Sequence, residues 1–146
     1  MHATVRSILT AQPQTKETVT VTDMEAGIEV FSRGTPRSSD VLLVIAEPYF
    51  KSLETAGRVK KMADDLNIPN IYVVANKVRT PNEAKVIESF CEKQGLTIIA
   101  TIPQDDSFLE ASMVPMSPMD YMPNAVGVQA VMALAQTLAQ RHLNAA

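Results

Sequence analysis

Val41-Leu42-Leu43-Val44-Ile45-Ala46 and Asn70-Ile71-Tyr72-Val73-Val74-Ala75-Asn76 are apolar almost throughout rather than alternating. Uninterrupted β-branched runs of this length are the pattern of strands buried on both faces of a parallel sheet. Between them, Leu53, Ala56, Val59, Ala63 and Leu66 recur at spacings of three and four, which places them on one face of a helix over Ser52 to Leu66, with Pro69 closing the unit. Downstream, Ala84, Ile87, Phe90 and Cys91 form a second helical stripe over Asn82 to Gln94, and Gly95 stands where a helix ends in the left-handed conformation. Thr97-Ile98-Ile99-Ala100-Thr101-Ile102 follows as a further strand. Upstream, Thr18-Val19-Thr20-Val21-Thr22 alternates, so a strand is expected there too, nearer an edge or beside a wet site. Strand and helix alternating with short joints predict an α/β fold with a mostly parallel sheet. The tail differs. Ser107 to Pro123 holds three prolines and four methionines and reads as a helix and an irregular loop, before a long helix over Asn124 to His142.

Composition narrows the function classes. With 146 residues, 46% hydrophobic and 20% charged, the chain fits one domain over 1–146. Thirteen basic against sixteen acidic side chains leave a net charge of −3, and no basic run offers a grip on nucleic acid or anionic lipid. No apolar run approaches the roughly 20 residues that span a bilayer. The single cysteine, Cys91, excludes an intramolecular disulfide and fits the reducing cytoplasm. It lies on an apolar helical stripe, where a small core residue is expected rather than a nucleophile. His2 and His142 have no neighbours at ligand spacing and do not predict a metal site.

In parallel α/β sheets, ligands bind beyond the carboxyl ends of strands. After the first expected strand stands Asp23-Met24-Glu25-Ala26-Gly27, a carboxylate and small residues suited to a Mg²⁺–nucleotide site. Asp at such a place equally serves as a helix N-cap. After the next strands come Glu47-Pro48, with a helix expected to start at Ser52, then Asn76-Lys77, then Ile102-Pro103-Gln104-Asp105. The Asn76 amide could read a base edge while the Lys77 stem lies along the base plane. Each of these is also ordinary turn chemistry when read alone.

Their joint order carries more. Asp23-Met24-Glu25-Ala26-Gly27-Ile28-Glu29 with Arg33-Gly34-Thr35, then Ser52-Leu53-Glu54-Thr55-Ala56, then Val74-Ala75-Asn76-Lys77-Val78, then Ile-Pro, resembles the MinD/ParA superfamily of deviant-Walker P-loop ATPases. More narrowly it resembles the CooC-like maturation factors that help insert nickel into carbon monoxide dehydrogenase. The resemblance implies a three-layer α/β/α fold binding ATP or ADP with Mg²⁺. It makes Asp23 the switch aspartate that contacts Mg²⁺ through water, with Ala26 and Gly27 in the switch loop. Asn76 and Lys77 become adenine contacts, Pro103 the opposite wall of the base pocket, and Glu47-Pro48 a turn lining the same cleft.

Against that pattern, the five glycines include no Gly-rich stretch before a Lys-Ser or Lys-Thr pair. Phosphate affinity in such proteins comes from backbone N–H groups at a helix N-terminus and a lysine. The resemblance therefore corresponds to the C-terminal half of the ATPase fold, without the P-loop strand. It implies a chain that does not hydrolyse ATP alone and that, isolated, binds no nucleotide tightly. A homo-oligomer or a separate N-terminal ATPase half is the expected partner, with a client metalloenzyme beyond it and neither nucleic acid nor membrane. The alternative is a degenerate, non-hydrolysing module that pairs with a partner ATPase or client enzyme.

Overall fold

The computed structural model describes residues 19–24, 31 and 34–142. Three parallel strands form the sheet: β1 (Leu42–Ala46), β2 (Ile71–Val78) and β3 (Thr97–Pro103), in the order β1-β2-β3. Helix α1 (Phe50–Asp65) joins β1 to β2, and α2 (Pro81–Gln94) joins β2 to β3. Beyond β3 come two short helices, α3 (Ser107–Ser112) and α4 (Pro118–Tyr121), and the long α5 (Val126–His142). The α/β class and its parallel sheet are as the apolar runs predict.

Strand alternation sorts the sheet into two faces. Leu42, Val44 and Ala46 of β1 with Val73 and Ala75 of β2 share one buried cluster with Leu53, Ala56, Val59 and Ala63 of α1 and Ile87 and Cys91 of α2. Within it Gly57 matters, because a Cβ there would stand 3.3 Å from the Phe90 ring. A bare backbone lets α1 and α2 approach closely. Burial also raises the Cys91 thiol pKa above its ordinary value, so the residue is a packed, neutral core group. The opposite face takes α5, which packs on β3 through buried Val128 and Leu134 and brings the Arg141 guanidinium 5.9 Å from the Tyr72 ring. That cover does not extend over β1, where Ile45 is 55% exposed.

Local chemistry accounts for the helix ends. Thr80 caps α2 by accepting the Glu83 N–H, while the Glu83 carboxylate reaches back to the Arg79 N–H at 2.6 Å. Pro81 occupies the first turn, where its missing N–H has no partner to lose, and Gly95 ends the helix at φ +64°.

Two expectations need correction. Residues 19–22, the described part of the expected first strand, do not form a strand, and Val21 is 88% exposed. Alternation alone supplies one apolar face, which is not enough to make a strand without a ladder partner. Second, α1 starts at Phe50 rather than Ser52. The Ser52 hydroxyl is drawn back instead, accepting the Glu47 N–H at 2.9 Å and fixing the turn after β1.

Candidate functional site at the carboxyl ends of the strands

Parallel strands end on one rim, and the rim collects most of the candidate residues. Glu47-Pro48 leaves β1, Asn76-Lys77 lies in the last turn of β2, and Pro103 ends β3. The register shows how Asn76 and Lys77 are aimed. Val73 stands opposite Ile98 but Val74 opposite Ala100, so β3 carries one extra residue there. Ala75 then faces Thr101 and Val78 faces Pro103, so the next extra residue falls on β2, at Asn76-Lys77. Lys77 absorbs this bulge with φ +54°, a left-handed backbone that costs a non-glycine residue about 1–2 kcal/mol.

The bulge turns Lys77 toward β1. Its Nζ lies 3.0 Å from Glu47 Oε1, an ion pair that joins two neighbouring strand ends. Asn76 is half-buried beside it, and its side-chain amide makes no hydrogen bond among the described residues. Both its donor and its acceptor therefore remain for a ligand edge. Pro103 is half-buried across the ladder from Val78, and the Gln104 N–H donates to the Val78 carbonyl at 3.0 Å. Pro48 is likewise half-buried. The structure thus brings Glu47, Pro48, Asn76, Lys77 and Pro103 onto one rim.

Asp23 belongs to a different place. With Val21, Leu43, Ile45, Tyr49 and Val59 it lines an open groove along the edge of β1 that no described strand pairs with. Ala26 and Gly27 lie outside the described residues.

Sequence reading missed three further features. Tyr49 and Phe50 present exposed rings just beyond the rim, at the start of α1. Asp105 does more than end a turn: Oδ2 accepts the Gly127 N–H at 2.7 Å and Oδ1 the Ser107 N–H at 3.0 Å. Those bonds, with the Gly127 N–H foremost, hold its carboxyl pKa below the ordinary 3.8. Gln104 Oε1 is a buried acceptor with no partner among the described residues.

These groups fit the two ends of a nucleotide unequally. The free Asn76 amide with the Pro103 wall suits a base. For the phosphates, the turn from β1 into α1 runs Glu47-Pro48-Tyr49 with no glycine, so it offers none of the glycine-rich backbone that cradles a phosphate. For Mg²⁺, Asp23 is one carboxylate, and among the described residues no group of three or more His, Cys, Asp or Glu is placed to hold a metal. Mg²⁺ usually takes one or two carboxylates plus phosphate oxygens, so Asp23 fits it only alongside a bound phosphate.

The parallel sheet with its covering helices matches the fold of the MinD/ParA P-loop ATPases. The cell division ATPase MinD of Pyrococcus furiosus superposes with a TM-score of 0.68 at 18% identity, over 82% of this chain and 50% of that one. No family model matches the chain. Among curated proteins, an ATP-binding protein of Methanocaldococcus jannaschii is 38% identical over 68% of this chain and 38% of its own length. The carbon monoxide dehydrogenase accessory protein CooC of Rhodospirillum rubrum is 34% identical over 84% of this chain and 46% of its own length. The chain belongs with these CooC-like ATP-binding proteins, shares the fold of the MinD ATPases, and spans less than half the length of the curated relatives it matches.

Proposed function

We propose that this chain is the base-reading, C-terminal portion of a nucleotide-dependent accessory protein for metallocentre maturation, acting on a nickel-containing client of the carbon monoxide dehydrogenase kind. The observation that carries the reading is the bulge at Asn76-Lys77, a strained feature placed on the ligand rim of a CooC-like chain. In this reading the Asn76 amide reads the base edge, Lys77 and Pro103 flank the ring, and Glu47 holds Lys77 in place. Asp23 orders a Mg²⁺-bound water when ATP or ADP is present. The phosphate-binding loop comes from sequence beyond this one, and its strand fills the groove along β1. The chain alone does not hydrolyse ATP.

Calorimetry with Mg²⁺–ATP tests this. The expected result is no measurable binding to the chain alone and binding once the portion of CooC that precedes the matched region is added. In the reconstituted pair, Asn76→Ala weakens ATP by about tenfold, the loss of one well-placed polar pair. Equal affinity for ATP with and without the added portion overturns the reading, as does an Asn76→Ala variant that binds ATP unchanged.

A further inference from the structure

The segment between Leu109 and Met122 is unlike the rest of the surface. Met113, Met116, Met119 and Met122 recur at every third residue and are 73%, 50%, 55% and 41% exposed. Leu109 and Tyr121 extend the same apolar stretch, and α3 and α4, which carry Leu109, Met119 and Tyr121, pack against each other. A contiguous exposed patch of this kind marks an interaction surface. Methionine suits one that must mould to a partner, because its side chain is unbranched and polarizable.

Charge selects the partner. From Gln94 to Gln140 the chain contains no Lys or Arg, while Asp105, Asp106, Glu110 and Asp120 fall in the same stretch as the methionines. Asp105 is committed to the Gly127 and Ser107 amides, and Asp120 accepts the Ser117 hydroxyl, yet both keep their negative charge. A soft apolar stretch whose own charged residues are all carboxylates matches a helix with one apolar face and flanking lysines or arginines. It opposes two other occupants. Anionic lipid would meet like charge, and a second copy would set the same carboxylates against one another.

We propose that the Met113–Met122 surface docks a basic amphipathic helix of a partner protein, with the thioethers seating its apolar face and Asp106, Glu110 and Asp120 its basic flanks. The methionines follow the strand-end rim in sequence, and the proposal does not depend on the nucleotide reading.

The probe is a synthetic Leu/Lys peptide of about 18 residues, long enough for five helical turns, titrated into the full chain by calorimetry and circular dichroism. A peptide of identical composition, scrambled so that it has no apolar face, is the control. The ordered peptide should gain helix on binding and bind about tenfold more tightly than the scrambled one. Combined Met113→Ser, Met116→Ser and Met119→Ser should remove about a tenfold share of that affinity, while the three Leu replacements should keep it within about twofold. Glu110→Gln should weaken binding and flatten its salt dependence. Equal binding of the two peptides, or unchanged affinity in the Ser variant, overturns the proposal. So does sedimentation showing that the chain self-associates through these methionines, or their protection by anionic vesicles.

Discussion

Lys77 holds a left-handed backbone at a cost of about 1–2 kcal/mol, and its ion pair with Glu47 does not offset this alone. The lysine side chain is 55% exposed, and pairs that open to water are worth roughly 0–1 kcal/mol. The conformation is held by its surroundings: Val78 is buried and paired to Pro103, and its carbonyl is taken by the Gln104 N–H. Relieving the strain should therefore show as stability. Lys77→Gly is expected to leave unfolding within about 1 kcal/mol of the parent, since relief at positive φ is countered by the entropy of a freer unfolded chain. Lys77→Val should cost about 2 kcal/mol, because a β-branched side chain fits that region worst. Urea unfolding of the two variants decides it, and a glycine variant less stable than the valine one would refute the assignment of strain. The Asn-Lys pair itself was legible in the sequence, because it closes an apolar run. The bulge was not, because a lysine gives no sign of positive φ as a glycine would.

Element by element, what could be read depended on how local the cause was. The stripes of α1 and α2 and the apolar runs of all three strands are short-range patterns, and each became an element within a few residues of its predicted bounds. The Thr-Val alternation at residues 18–22 named a strand by the same logic, yet its described residues form none, because a strand also needs a neighbour to pair with. The start of α5 was placed within two residues as well, but what fixes it was hidden for the opposite reason: Asp105 lies 22 residues away. Asp105 supplies a carboxylate to the N-terminus of α5, and Gly127 lets it come close. A Cβ at Gly127 would fall 2.4 Å from the Phe108 ring and 3.0 Å from Asp105 Cβ. Gly127→Ala should therefore destabilise by about 1–3 kcal/mol, as overpacking does, and Phe108→Ala in the same chain should recover part of that loss. The Asp105 bond also has a pH signature. Its folded pKa lies below the unfolded one, so its contribution is complete above about pH 4 and disappears as pH falls through the lowered value. Thermal unfolding from pH 6 down to pH 2 should lose part of its acid slope in Asp105→Asn. An unchanged slope would mean that other carboxylates govern it.

Across the whole molecule, the open flank of β1 is the dominant fact. Leu42 donates its N–H to the Asn70 carbonyl on the β2 side. Alternation then sends the Val44 and Ala46 amides inward and those of Leu43 and Ile45 out toward the groove. An edge of this kind pairs readily with an added strand. The order of the motifs led to the expectation of a completing segment, whereas the groove along β1 was not legible, because it depends on where residues 21–24 come to rest. Proline scanning separates the two sides of β1. Val44→Pro removes a ladder bond from the buried side and should cost about 3 kcal/mol or more. Ile45→Pro removes only an outward N–H, on an edge strand where proline is tolerated, and should leave the lone chain folded. Hydrogen exchange should find the Leu43 and Ile45 amides fast in the isolated chain and the Val44 amide slow. Adding the preceding portion of CooC should protect the outward pair in the parent but fail to bind Ile45→Pro. Protection of Leu43 and Ile45 in the isolated chain, or undiminished binding by Ile45→Pro, would rule out β1 as the seam along which this half is completed.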